Sequence, residues 1–258
     1  MAPRGGKEIV VPGDVLDDTG RMKDGPGCYK RGDTVYASRL GIKQLKGDTI
    51  SVLPVSGVYN AMPGDLVIGI VVELGPSMWL LDINGPYPAP LHATETPWRV
   101  DFGETAKYLD AGDTILCKVL FVDETKKTQC TMKDRNLKKL TGGHLLEIEP
   151  SKVPRVIGKN GSMVNLIKKY CDVWMFVGQN GRIWLNGDLQ GILLAEETIR
   201  KIEREAHTSG LTDRIQKHLS ERAQALGRKV SEGRPEGEDE EGRDEPSFGA
   251  SQREQDYE

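Results

Sequence analysis

Val153-Pro154-Arg155-Val156-Ile157-Gly158-Lys159-Asn160-Gly161-Ser162-Met163-Val164-Asn165-Leu166-Ile167-Lys168 is the stretch around which the rest of the chain is read. Two short apolar runs, Val153, Val156 and Ile157 and then Met163, Leu166 and Ile167, each follow helical spacing, so the pattern predicts helix, tight loop, helix. The loop begins and ends on glycine. Without side chains at 158 and 161, another backbone can come close to Lys159 and Asn160. The second helix would aim its unpaired N–H groups and the positive end of its dipole at the same place, which suits a phosphate. Residues 151–169 hold Lys152, Arg155, Lys159, Lys168 and Lys169 and no acidic residue, so the local field favours an anion as well.

Context gives the loop its meaning. A strand-like run, His144 to Ile148, precedes it, and two more, Asp172 to Val177 and Arg182 to Asn186, follow the second helix. Between those two lies Gly178-Gln179-Asn180-Gly181, an Asn-Gly hairpin signal. A long helix then has Leu189, Ile192, Leu193, Ile199 and Ile202 as its expected apolar stripe. The order is strand, helix, helix, strand, strand, helix. Gly158-Lys159-Asn160-Gly161 in this order resembles the GXXG loop of a KH domain, which clamps single-stranded nucleic acid by its backbone. The plainer alternative is a helical hairpin that turns on two glycines.

A chain of 258 residues suggests one to three domains, and 30 Gly with 14 Pro suggests short strands and many turns. No stretch approaches the roughly 20 apolar residues needed to span a membrane, and Met1 to Val11 lacks the apolar core of a secretion signal. The expectation is a cytoplasmic protein without a membrane partner. Cys28, Cys117, Cys130 and Cys171 stand singly, and the four histidines form no local cluster, so the reading expects no metal and no cofactor. Nor does any motif join the scattered carboxylates into a catalytic constellation, so no enzyme activity and no catalytic residue is expected.

The net charge of -4 conceals an asymmetry. Residues 228–258 carry five basic and eleven acidic side chains, a net of -6, which leaves +2 on residues 1–227. With Glu238-Asp239-Glu240-Glu241 and few apolar residues, 228–258 is expected to be a disordered acidic tail. Solubility is the favoured role, against a specific docking role, and such a tail could also compete with nucleic acid for the basic surface.

Residues 1–57 read as a β-rich module, with strand candidates at Thr34 to Tyr36, Ser38 to Ile42 and Thr49 to Pro54 and with Lys43, Lys46 and Asp48 in turns. Residues 62–135 form the next unit. Leu66 to Leu74, Met78 to Ile83, Thr114 to Val122 and Gln129 to Met132 are strand runs, and a long connection covers roughly His92 to Asp113. Five short strands with one such connection suit an OB barrel. Gly64-Asp65-Leu66-Val67-Ile68-Gly69, Gly112-Asp113-Thr114-Ile115-Leu116-Cys117-Lys118-Val119 and Thr131-Met132-Lys133 resemble the ribosomal S-one class of that fold, whose members cradle single-stranded RNA. Leu80 and Pro90 stand where that class commonly has aromatics, and alternation assigns Trp79, Leu81 and Ile83 to the core. Lys126, Lys127, Lys133, Arg135, Lys138 and Lys139 form a basic run broken by one acid, Asp134, between 126 and 139, and phosphate contact is expected of it. Arg99, Lys107 and Tyr108, with Trp98, are further candidates from the long connection.

A β-rich docking module at 1–57, an S-one-type OB domain at 62–135 and a KH domain with C-terminal helices at 143–225, followed by the tail at 228–258, resemble the RNA-binding cap subunit of the archaeal exosome. Val10-Val11-Pro12-Gly13-Asp14, the 153–163 run and Gly178-Gln179-Asn180-Gly181-Arg182-Ile183-Trp184 carry the resemblance. It implies a subunit that does no chemistry itself. Three copies, alone or mixed with the family's other cap subunit, would sit on a hexameric ring of RNase PH-like subunits and feed it the 3′ ends of RNA for phosphorolysis. The alternative is a KH/OB factor of transcription or translation. Under the resemblance, single-stranded RNA meets Arg155, Gly158, Lys159, Asn160 and Gly161, then Lys126, Lys127, Lys133 and Arg135, with Arg99, Lys107 and Tyr108 framing it. Gly178 to Gly181 is read as a structural turn, with Arg182 at most a rim contact. Whether the first glycine loop faces RNA or packs on the barrel stays open.

Overall fold

Seven short strands open the chain: β1 (Ile9–Val10), β2 (Val15–Asp17), β3 (Lys23–Asp24), β4 (Cys28–Arg31), β5 (Thr34–Ala37), β6 (Gly41–Lys46) and β7 (Thr49–Pro54). The computed structural model describes residues 8–206, 208 and 210–226, and the acidic segment 228–258 lies outside them. These strands form two sheets, ordered β1-β6-β7-β3 and β2-β5-β4. Alternation sends Val35 and Ala37 of β5 and Ile50 and Val52 of β7 inward, onto Val10 and Leu16. The opposite faces stay apolar: Ile9, Ile42 and Leu53 face one another across three strands, as do Val15, Tyr36 and Tyr29. Lys43 and Lys46, expected in turns, are part of β6, because the strand continues to the two-residue turn Gly47-Asp48, where Gly47 takes φ +59°.

The second unit is a closed barrel. β8 (Leu66–Leu74), β9 (Met78–Asp82), β10 (Ala89–His92), β11 (Thr114–Val122) and β12 (Thr128–Thr131) run in the order β12-β10-β9-β8-β11, and β11 pairs with β12 to close it. β13 (Lys139–Leu140) adds to β11. Closure removes the exposed edges that an open sheet of this size would present. The interior holds Trp79, Leu81 and Ile83, each at most 1% exposed, with Val67, Leu91, Ile115 and Met132 around them. Trp79 Nε1 donates to the Leu109 carbonyl at 3.2 Å, which satisfies the one polar atom of that ring.

The third unit follows after only residues 141–143. Its elements are β14 (His144–Glu147), α1 (Val153–Ile157), α2 (Ser162–Cys171), β15 (Trp174–Val177), β16 (Arg182–Asn186), α3 (Leu189–Glu205) and α4 (Leu211–Ala225), with the strands ordered β14-β16-β15. The strand expected from Asp172 starts at Trp174, since Asp172 takes a left-handed conformation (φ +51°) that ends α2. Asp188 caps α3 by accepting from Gly191 N–H at 3.2 Å, and this start fixes the phase of the helix. Leu194, Ala195, Thr198, Ile199 and Ile202 consequently face the core, while Leu189 and Leu193, expected in the stripe, are 72% and 55% exposed.

One face of this sheet sends Ile183, Leu185 and Met175 against the helices. The other face packs on the barrel: Trp184 is buried in the barrel's own core cluster, with Leu145, Trp174 and Phe176 against it. Gly143 makes this contact possible, because a Cβ there would fall 2.5 Å from the Trp184 ring.

Candidate nucleic-acid interface

The first glycine loop is built by two requirements for glycine. Gly158, at φ +75°, lies so close to α2 that a Cβ would sit 2.8 Å from the Met163 nitrogen, whereas Gly161 needs only its positive φ of +74°. Asn160 between them is also left-handed (φ +53°), a conformation asparagine tolerates better than most residues. Val156 and Met163 are buried on either side, so the loop sits on a packed base and turns Lys159 and Asn160 outward. Gly161 serves as the N-cap of α2, no side chain accepts from its first turn, and no acidic residue occupies that turn. Ser162 N–H, the first of that turn, donates to the Lys159 carbonyl, and no side chain caps the N–H groups that follow, which suits an anion. Arg155 and Lys159 are exposed and have no ion pair among the described residues. Lys152 differs: it lies 3.8 Å from Glu149 and donates to the Val55 carbonyl at 3.1 Å.

The second glycine loop has the opposite fate. Gly178 N–H donates to the Arg182 carbonyl and Gly181 N–H to that of Gly178, and only Gly181 takes positive φ, at +83°. This turn is driven into the barrel. At Ile70 and Asp82 the pairing of β8 and β9 ends, and the Asn180 side chain takes over where the strands part. Its Oδ1 accepts from Ile68 N–H at 3.3 Å, and its Nδ2 donates to the carbonyls of Ile68 and Ile83 at 2.8 Å each. Asn84 Nδ2 in return donates to the Asn180 carbonyl at 2.8 Å, and Gln179 N–H to that of Leu66 at 2.9 Å.

Arg182 is not the rim contact expected of it. Its side chain is 3% exposed, and its guanidinium joins Asp82 of the barrel at 2.6 Å to Glu147 of β14 at 2.8 Å while donating to the Asp82 carbonyl at 2.5 Å. A buried arginine is tolerable only when its charge and N–H groups are met in this way. Burial pushes the Asp82 carboxyl up, but the Arg182 hydrogen bond, the Asn84 N–H and the guanidinium charge together hold it below its ordinary value. Sequence reading missed this cluster. The arginine directly after Gly-Gln-Asn-Gly was the one available signal, and its partners lie 35 and 100 positions away.

The barrel's basic run is divided by β12. Lys126 and Lys127 precede that strand and Lys133 and Arg135 follow it, so four residues of strand, about 13 Å, separate the pairs. Asp123 shapes the first turn: its carboxylate accepts from Thr125 and from Lys127 N–H, which holds its pKa below the ordinary value, and Lys126 takes φ +67°. Lys126, Lys127 and Arg135 are exposed without an ion pair among the described residues. Lys133 is paired with Glu95 at 3.3 Å, Lys139 with Asp113 at 2.5 Å and Lys107 with Glu104 at 2.5 Å, and Lys138 lies over the Trp174 ring. Tyr108 spends its hydroxyl on the Arg99 carbonyl at 2.8 Å and stacks on Trp98, leaving the Arg99 side chain exposed. Among the described residues no group of three or more His, Cys, Asp or Glu side chains could hold a metal ion, and no helix is long and apolar enough to cross a membrane.

Comparison with known proteins matches two parts of this architecture. A family described as the exosome complex exonuclease RRP4 N-terminal region covers residues 9–46, and the KH domain family covers residues 143–190. The exosome complex component Rrp4 of Thermoplasma acidophilum is 46% identical over 216 residues, covering 83% of this chain and 91% of the relative. Its counterpart in Pyrococcus abyssi is 42% identical over 247 residues, covering 91% and 93%. A solved structure described as an exosome complex RNA-binding protein superimposes with a TM-score of 0.61 at 34% identity, covering 66% of this chain and 99% of that one. With relatives matched at such identity over nine tenths of their length, the chain belongs to the family of the exosome complex component Rrp4.

Proposed function

We propose that this protein is the non-catalytic RNA-binding cap subunit of a cytoplasmic exosome, which captures single-stranded RNA and passes its 3′ end to a phosphorolytic ring of RNase PH-like subunits. One observation carries the reading: the Gly158 to Gly161 loop is exposed, uncapped and flanked by Arg155 and Lys159 without carboxylate partners, in a chain whose relatives are named exosome components. Phosphates meet that corner through N–H groups and charge together. Lys126, Lys127 and Arg135 extend the contact over the barrel, and Arg99 lies on its long connection. Lys133 and Lys107 contribute less, since each already neutralises a glutamate.

The N-terminal module is the surface for the ring. Its rows Ile9-Ile42-Leu53 and Val15-Tyr36-Tyr29 leave Ile9 68%, Val15 56% and Leu53 45% exposed, and apolar rows of this kind mark protein contacts more readily than RNA contacts. Three copies would complete the cap. Titrating a fluorescent single-stranded RNA at several salt concentrations tests the RNA half of the proposal. Two to five phosphate contacts give a log–log slope of about -1.4 to -3.5, at about -0.7 per contact on single strands. An affinity indifferent to salt refutes phosphate contact.

A further inference from the structure

Phe102 is the most exposed large apolar side chain among the described residues, at 82%, and it is not a loose loop tip. Gly103 N–H donates to the Pro76 carbonyl at 2.8 Å, and the buried Thr105 hydroxyl donates to that of Gly75 at 2.8 Å. The long connection is thereby stapled to the β8–β9 turn at two points directly after the ring, and Gly103 at φ +84° provides the bend. Behind it the Trp98–Tyr108 stack, with ring centroids 5.7 Å apart, packs on the barrel core. Phe102 stands at the end of this anchored segment with 82% of its surface exposed. It is held in water by hydrogen-bonded backbone.

Beside the ring lies a recess of about 270 Å³ lined by Ser77, His92, Thr94, Val100, Asp101 and Phe102. That volume is below the roughly 300–1,000 Å³ of sites for drug-sized ligands and suits one planar heterocycle. Its lining residues bring hydroxyl, imidazole and carboxylate groups that can meet the edge of such a ring. Among the described residues no free cation lines the recess: its lining holds the Asp101 carboxylate and no lysine or arginine, and Lys107 is paired with Glu104 at 2.5 Å. A neutral base fits this lining better than a phosphate.

We propose that Phe102 and this recess form a slot for one base of single-stranded RNA, in which the base stacks on the Phe102 face and turns its edge to the polar lining. The slot rests on the RNA-binding reading above. It would give the barrel the stacking surface that Leu80 and Pro90 cannot provide, with Arg135 for a flanking phosphate, two residues after Lys133, which reaches Glu95 next to the lining residue Thr94.

The test compares two probes with the full chain: a single-stranded RNA of about ten adenosines and an abasic strand of the same length and charge. A stacked base is worth about fivefold or more in affinity, so Phe102→Ala should weaken binding of the adenosine strand by at least that factor. It should leave the abasic strand and the urea midpoint unchanged, and Phe102→Trp should retain adenosine binding. If Phe102→Ala binds both strands as the parent does, the slot is wrong while RNA binding stands. If it loses co-purification with the other exosome subunits and keeps its RNA affinity, the ring contacts protein and the proposal falls. If the parent chain binds neither strand, the RNA-binding reading itself fails and takes the slot with it.

Discussion

Asn180→Ala should be among the most damaging single substitutions in this chain, although it removes only a small polar side chain. The carboxamide satisfies three backbone groups that have no strand opposite them: Ile68 N–H, Ile68 C=O and Ile83 C=O. Ile68 C=O keeps a long contact of 3.4 Å from Arg182, so the substitution fully orphans two buried groups. Each costs about 1–3 kcal/mol when no water reaches it, and Asn180 is 0% exposed, so the loss is about 3 kcal/mol. With a urea m value of about 3 kcal/mol per M, the midpoint should fall by about 1 M. Asn180→Asp is the informative control. It keeps an acceptor for Ile68 N–H but loses both donated bonds and adds a buried charge, so it should fall at least as far. Equilibrium urea titration followed by tryptophan fluorescence reads both variants, since Trp184 and Trp79 lie in the barrel core. A shift below about 0.3 M for Asn180→Ala would show that water replaces the carboxamide, and the account of Asn180 as a substitute strand would fail.

Replacing Lys159 and Asn160 together by Asp should weaken RNA binding by about tenfold or more and reduce the salt slope, with the urea midpoint nearly unchanged because both side chains are exposed; unfolding or intact RNA affinity would refute the clamp. Gly181→Val should lower stability by about 3 kcal/mol or more, since its Cβ would stand in contact with the Ile148 carbonyl and φ is +83°; a midpoint like the parent's would contradict this geometry. Asp82 has its pKa lowered in the fold, so the unfolded chain takes up its proton first on acidification. Its contribution is present above about pH 4 and lost as pH falls through the folded value, so the stability gap between the parent and Asp82→Asn should close in that window. A gap that stays constant from pH 6 down to about pH 3 would separate Asp82 from the acid response.

The parts of the fold legible in the sequence are those dictated by near neighbours. Leu66 to Leu74 and Thr114 to Val122 are strands with the bounds their apolar runs suggest, and the loop at Gly158 to Gly161 stands between two helices. Asn-Gly at 180–181 does make a turn, but with Asn180 outside the left-handed region, because its side chain is committed to the barrel. Nothing near position 180 encodes partners at 68 and 83. Pairing of charges was equally hidden: Lys133 and Glu95 lie 38 positions apart, so a basic run reads as free charge until the fold brings a carboxylate to it. The phase of α3 was misread by one position of apolar residues in Leu193-Leu194, where the cap at Asp188 decides what periodicity alone leaves open.

The packing of Trp174, Phe176 and Trp184 on the barrel, with only residues 141–143 between β13 and β14, leaves no slack between the barrel and the unit that follows it, the two proposed to contact RNA. For a strand that touches both, the second contact is intramolecular, and its effective concentration depends on the RNA alone, because the protein contributes no linker to search with. An RNA too short to bridge the glycine loop and the barrel gains nothing from the second site, whereas one that matches the fixed separation gains the whole of it. Under the proposed contacts, such a rigid pair of sites would discriminate among RNAs by length before sequence.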